Sequence, residues 1–279
     1  MLRRPVWLAL FWIGSLAGCA SSAPAGDDPL LQTVIAGTQR SDGNRARDAA
    51  RHPYETLRAF GLRPDQTVVE IAPGGGWYTE ILAPYLRERG HYVAALHADA
   101  GKTPAETETR FTQARERFDA KFANQPARYG QVVVGTLRKQ GLTDVGAPGS
   151  ADLVLTFRNI HNWIAEGFFD AALRAFYDVL KPGGVLGVEE HRAAPGTSLE
   201  RIIASGYVPE DYVIEHARAA GFELVSRSDT NANPRDTKDH PNGVWSLPPT
   251  LRGGNVERER FVAIGESDRM TLKFVKPRR

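Results

Sequence analysis

The chain has 279 residues, 35 basic and 33 acidic side chains, a formal charge of +2 and one cysteine. A single cysteine excludes an internal disulfide framework and a Cys-based zinc site, and a charge so near balance excludes a nucleic-acid binder that relies on a broad phosphate footprint. With 42% hydrophobic and 24% charged residues, the composition is that of a globular protein with a sizeable core.

At the start of the chain, Arg3 and Arg4 precede an apolar run, Val6 to Ile13. That run is too short to cross a bilayer, which needs about 20 apolar residues. Leu16-Ala17-Gly18-Cys19 follows, and then Ala20-Ser21-Ser22. The segment resembles a bacterial lipoprotein signal with its lipobox. The resemblance implies cleavage before Cys19, acylation of Cys19, and an exported protein anchored to a membrane and facing the periplasm. More than one acyl chain makes a stable anchor, at about 0.8 kcal/mol per buried CH₂. Residues 1–18 are then a signal peptide, and 19–37, rich in Ala, Ser, Pro, Gly and Asp, a tether. Residues 38–279 form one domain. Cleavage removes two arginines and no acid, so the +2 belongs to the signal.

Next, Arg45 to Leu57 reads as an amphipathic helix covering the cofactor side of the glycine loop at residues 74–76, with Arg47 and Arg51 near that loop. Thr67 to Ala72 is an apolar strand. Trp77 to Arg89 has helical periodicity, with Tyr78, Ile81, Leu82, Tyr85 and Leu86 on one face. Tyr92 to Leu96 is a strand. Pro104 to Ala123 is a charged helix with Phe111, Phe118 and Phe122 inward and a solvated outer face to which no function attaches. Strands follow at Gln131 to Val134 and Asp152 to Phe157. A helix from Gly167 to Leu180 stops at Lys181-Pro182-Gly183-Gly184, and Val185 to Glu189 is a strand. Pro209 to Ala220 is a helix with Gly221 just past its end. Phe222 to Ser226 and Met270 to Val275 are the last strands. Seven strands alternating with helices predict an α/β fold with a mostly parallel sheet and helices on both faces. The last two strands are separated by roughly forty residues, and a loop that long is usually functional or disordered. Its portion 229–258 is expected to fold over a pocket as a lid.

Between the first strand and its helix lies Glu70-Ile71-Ala72-Pro73-Gly74-Gly75-Gly76. Successive glycines allow positive φ and close approach to a ligand. The helix N-terminus suits a polar or anionic group. In order along the chain come Asp152-Leu153-Val154-Leu155-Thr156, Leu180-Lys181-Pro182-Gly183-Gly184-Val185-Leu186 and Ala219-Ala220-Gly221-Phe222. Together these motifs resemble the class I S-adenosylmethionine-dependent methyltransferases over about residues 40–276. Arg47-Asp48, Arg51-His52-Pro53, Trp77-Tyr78-Thr79 and Phe157-Arg158-Asn159-Ile160-His161 are similar to a group of bacterial, often exported, predicted methyltransferases. The resemblance implies a Rossmann-like, mostly parallel seven-stranded sheet, S-adenosylmethionine as cofactor and a small-molecule substrate. It implies cofactor contacts at Glu70, Ala72, Pro73, Gly74, Gly75, Gly76, Asp99 and Asn159. Ala72 replaces the first glycine of the motif. The acid that ends strand two in that superfamily and clamps the ribose is displaced, with Leu96-His97 in its place and Asp99 two or three residues late.

Methyl transfer needs orientation and sometimes a base. Arg158, Asn159, His161 and Trp163 follow strand four, and Glu189, Glu190, His191 and Arg192 end strand five. His161 or His191 suits a base near neutral pH, and Glu190 does if burial raises its pKa. His161, Glu190, His191, Asp236 and His240 are acceptable ligand types, but their spacing matches no local metal motif and no metal is expected. Two functions follow: a methyltransferase acting on a small molecule, or a membrane-tethered binding protein that keeps the fold and transfers nothing. Export favours the second, because the cofactor is a charged cytoplasmic metabolite.

Overall fold

The computed structural model describes residues 26–97 and 103–278, so the export signal, Cys19 and Asp99 lie outside the described residues. Four short helices open the structure: α1 (Pro29–Ala36), α2 (Asp42–Arg45), α3 (Asp48–Arg51) and α4 (Pro53–Phe60). The first corrects the tether expected up to residue 37. Asp28 caps it by accepting a hydrogen bond from the Leu31 N–H at 2.9 Å, Pro29 occupies its first turn, and Leu31 is completely buried. The helix expected over 45–57 is broken at His52, which adopts φ 42°. Pro53 is the reason, since its ring disfavours the α conformation in the residue before it.

Eight strands form one sheet: β1 (Thr67–Ile71), β2 (His91–His97), β3 (Val132–Arg138), β4 (Gly141–Thr143), β5 (Ala151–Phe157), β6 (Leu180–His191), β7 (Glu223–Ser228) and β8 (Arg269–Val275). Their spatial order is β4-β3-β2-β1-β5-β6-β8-β7. Strands β3, β2, β1, β5 and β6 are mutually parallel, while β8 runs antiparallel to both β6 and β7. The strand beyond the expected seven is β4, a three-residue edge folded back on β3, too short to leave an alternating pattern. The remaining helices are α5 (Thr79–Leu86), α6 (Pro104–Phe118), α7 (Pro126–Tyr129), α8 (Ile160–Ala165), α9 (Phe169–Val179), α10 (Leu199–Ser205), α11 (Glu210–Ala219) and α12 (Arg258–Ile264). A π turn, Asp119–Ala123, continues α6. No helix of the described residues is long and apolar enough to cross a membrane.

Each face of the sheet carries its own core, because successive side chains of a strand point to opposite faces. In β6, Leu186 and Val188 join the core containing Trp163, Phe176, Val213 and Phe222. Gly187 faces the other way, where an added Cβ would lie 2.6 Å from the Phe60 ring. That second core gathers Phe60, Tyr78, Leu82, Leu96 and Phe157. The parity places Glu189 on the face of Phe60 and Glu190 on the face of Trp163. The carboxyl ends of β1, β5 and β6 and the start of β8 therefore converge at one edge, where the candidate residues lie.

The long connection between β7 and β8 is pinned rather than loose. Asp236 accepts hydrogen bonds from the Tyr207 hydroxyl at 2.9 and 3.0 Å and from the Asp268 N–H at 2.8 Å, and pairs with His240 at 2.8 Å. Asn233 donates to the carbonyls of Ile264 and Glu266.

Candidate functional site

The glycine loop delivers the first half of the site. Ala72, Gly74 and Gly76 all have positive φ, at 50°, 56° and 78°. Glycine takes this conformation at no steric cost, and Ala72 adopts it in the glycine's place. At Gly76 a Cβ would lie 2.2 Å from the Phe122 ring, so the loop can pass under the π turn only without a side chain. At Gly74 and Gly75 a Cβ would meet nothing within 4 Å. Both border a cavity of about 550 Å³ together with Ala72, Pro73, His97, Asn159, Asn162 and Trp163.

Of the residues the resemblance names as cofactor contacts, Ala72, Pro73, Gly74, Gly75 and Asn159 line this one cavity. Asn159 is held there by donating to the Ile71 carbonyl at 3.2 Å, which ties the end of β5 to the loop after β1. Glu70 is a different case. It is buried, accepts from the Tyr92 hydroxyl at 2.5 Å and from Thr79 at 3.1 Å, and does not line the cavity. Burial pushes its carboxyl up to about 7 against those two hydrogen bonds. Its role is to fasten β1 to β2 and α5. The charged helix expected over 104–123 also differs from expectation: Arg117 of α6 and Lys121 of the π turn line the cavity beside the inward Phe118, and Lys121 donates to the Gly75 carbonyl at 2.9 Å. The aromatic spacing Phe111, Phe118, Phe122 was the visible signal that this helix packs over the loop.

The second half is a neighbouring cavity of about 570 Å³, which shares Asn162 with the first. His161 and His191 line it, as do Arg51, Arg158, Trp245, Pro248 and Pro249. The last three come from the 229–258 segment or its immediate packing, so that connection forms a wall of the cavity.

Glu190 is not a free base. One oxygen accepts the Ile160 and His161 N–H groups at 2.6 and 3.3 Å, capping α8. The other accepts the His191 N–H at 2.8 Å and pairs with His161 Nδ1 at 3.1 Å. The pair fixes the His161 tautomer with its proton on Nδ1, which leaves Nε2 as a proton acceptor. His191 plays another part: burial first, and then His161 whenever it is protonated and the charges of Arg158 and Arg269, hold its pKa well below the usual histidine value, so it stays neutral. Its Nδ1 lies 2.6 Å from the Ser267 hydroxyl.

His161, Glu190 and His191 do bring ligand atoms within 4.8 Å of one another. A metal there would have to displace the His161–Glu190 contact and bind in the field of Arg158, Arg269 and Arg51, which already depresses His191. Asp236 and His240, the other ligand types, pair with each other outside this cavity.

Behind the cavity lies a buried charge network that local sequence reading missed. Glu189, fully buried, binds Arg158 at 2.6 Å and Arg269 at 3.2 Å, and accepts from the Tyr78 hydroxyl at 3.2 Å. Glu266 binds Arg47 at 2.7 Å, Arg269 at 3.0 Å and Arg51 at 3.1 Å. Burial pushes the Glu266 carboxyl up, but Arg51, Arg269 and Arg47 together outweigh it and hold it at about 2. Arg51 and Arg47 were expected beside the glycine loop. Arg51 does stack on Trp77, just after that loop, at 4.8 Å, yet its charge is directed to Glu266.

No protein family and no curated protein matches the chain. Solved structures do. A SAM-dependent methyltransferase from Aquifex aeolicus superposes with a TM-score of 0.52 at 15% identity, over 90% of this chain and 100% of that one. The 4+2 cyclase SpnF superposes with a TM-score of 0.55 at 17% identity, over 89% and 92% of the two chains. The chain has the class I methyltransferase fold. Its sheet is the expected Rossmann-like, mostly parallel one with an added edge strand.

Glu266 supplies a test of the network. Its pKa is 4.5 when unfolded and about 2 when folded, so between those values the folded state binds fewer protons. Its contribution is complete above about pH 4.5 and is lost as the pH falls toward 2. Glu266→Gln is expected to lower stability at pH 7 by about 3 kcal/mol and to flatten the acid limb of the stability curve. Urea unfolding at pH 7 and in the acid range measures both effects.

Proposed function

We propose that the protein is an S-adenosylmethionine-dependent methyltransferase acting on a small molecule. The observation that carries this reading is the adjacency of the two cavities: one lies under the glycine loop, the other contains His161, and they meet at Asn162. The first cavity suits the cofactor in several respects. Its size is that of a small-molecule site. Gly74 and Gly75 leave it open where any side chain would project. Trp163 lines it, and the buried indole N–H of that residue has no partner among the described residues.

Ala72, Pro73, Gly74, Gly75 and Asn159 would hold S-adenosylmethionine, which supplies an electrophilic methyl group on its sulfonium sulfur. The chain's own residues do the rest. His161 Nε2 accepts the proton that the substrate's nucleophilic atom loses. Glu190 accepts the Nδ1–H, keeps the ring in that tautomer and stabilises the imidazolium that forms. Arg158 and Arg51 orient the substrate, and the Trp245 wall excludes water from it.

On this reading the enzyme is tethered to a membrane through acylated Cys19 and faces the periplasm. Support comes from the sequence of residues 1–22 alone. Cys19→Ala is expected to move the protein from the membrane to the soluble fraction or to leave it unprocessed; processed protein that remains membrane-bound would contradict the anchor.

Calorimetric titration with S-adenosylmethionine tests the enzyme itself. The wild type is expected to bind below millimolar cofactor. Gly75→Val, at a position that lines the cavity and where an added Cβ meets nothing within 4 Å, is expected to remain folded and bind at least about tenfold more weakly, or 1.4 kcal/mol. No binding by the wild type would sink the reading and leave a tethered binding protein.

A further inference from the structure

We propose that the cavity containing His161 is an oxyanion site, and that its ligand is a small molecule with a carboxylate or phosphate at one end and an apolar, ring-sized body at the other. The proposal deepens the methyltransferase reading by naming the class of methyl acceptor, and it rests on that reading for the ligand's fate but not for its binding.

The first observation is the imbalance of charge. Four arginines, Arg47, Arg51, Arg158 and Arg269, share two carboxylates, Glu189 and Glu266. Glu190 does not redress this, because it sits on the opposite face of β6 and is occupied by three N–H groups and His161. Glu166, the other acid at the cavity, lies 3.5 Å from His97. Buried charge without a partner is costly, and an anion between the arginines removes that cost.

The second observation is which donors remain. Arg51 binds Glu266 through Nε alone, at 3.1 and 3.3 Å. Arg158 binds the Glu189 carboxylate through a single Nη, at 2.6 Å. Both guanidinium groups line the cavity, and among the described residues these are the only hydrogen bonds their nitrogens make. Two guanidinium groups presenting free N–H donors to one space match the oxygens of a carboxylate or phosphate. Burial, and then the charge of Arg158, pull Arg51 down to about 9 in spite of Glu266, while Glu189 holds Arg158 above its usual value.

The third observation gives the rest of the ligand. Val244, Trp245, Pro248 and Pro249 give the same cavity an apolar lining, with Arg252 stacked on Trp245 at 4.6 Å. A volume of about 570 Å³ holds one small molecule. His161 lies beside this lining, its ring 5.9 Å from that of Trp245.

The test is calorimetric titration of the full chain, without S-adenosylmethionine, with benzoate, phenyl phosphate and neutral benzamide at constant ionic strength. At least one charged probe is expected to bind about tenfold or more tightly than benzamide, or 1.4 kcal/mol. Preference for benzoate assigns a carboxylate ligand, and preference for phenyl phosphate a phosphate ester. Arg51→Gln leaves Glu266 with Arg47 and Arg269, so it strands no carboxylate. It is expected to lose most of the preference, while Arg201→Gln on the exposed side of α10 keeps it. Charged probes that bind no better than benzamide, or Arg51→Gln binding them like the wild type, would overturn the proposal. If Arg51→Gln does not fold, the wild-type comparison with benzamide decides. Because no cofactor is present, failure here leaves the cofactor titration standing, and failure of that titration leaves the anion site standing.

Discussion

The fully buried carboxylate of Glu189 is the constraint around which the site is arranged. An isolated carboxylate in that position would be protonated or would unfold its surroundings. Here burial pushes its pKa up, and Arg158, Arg269 and Arg51 bring it below the usual value, so it stays ionised. Each of its partners comes from a different part of the chain. Arg158 follows β5, Arg269 begins β8, and Tyr78 follows the glycine loop and stacks on Phe157 at 3.6 Å. Removing Glu189 would strand the buried Arg158 guanidinium and leave Arg269 with Glu266 alone, a loss of about 3–5 kcal/mol in comparable cases. The glycine loop, the cavity arginines and the last strand are thus held in register by one side chain.

The next residue in the chain has a separate function because strands alternate their faces. Glu189 points to the Phe60 and Tyr78 side and organises arginines. Glu190 points to the α8 side, where it caps the helix and holds His161. Two adjacent carboxylates in β6 therefore set the two chemical properties of the cavity: a fixed positive field and a histidine with Nε2 free. His191, the third residue of the run, is kept neutral by that same field.

The sheet and the glycine loop were legible in the sequence because parallel strands buried on both faces read as unbroken apolar runs, such as Leu153-Val154-Leu155, and because Gly74-Gly75-Gly76 sits between a strand and a helix. His161 and Glu190 were legible as candidates from their place after strands, though not their division of labour, which depends on N–H groups of α8. Three features escaped. The Arg51–Glu266 pair spans 215 residues, beyond any local pattern. The break at His52 required weighing Pro53 against an otherwise helical pattern. Glu70 matched a motif position, but only the packing of Tyr92 and Thr79 against it shows a carboxylate turned away from the cavity. Asp99 and Cys19 fall outside the described residues.

On the proposed function, the two cavities that meet at Asn162 take the cofactor and the methyl acceptor. A crystal structure with S-adenosylhomocysteine tests it most directly. The account predicts the nucleoside against Gly74, Gly75 and Asn159, with its sulfur toward Asn162 and the cavity of His161. Density for the ligand elsewhere, or with its sulfur directed away from that cavity, would contradict it.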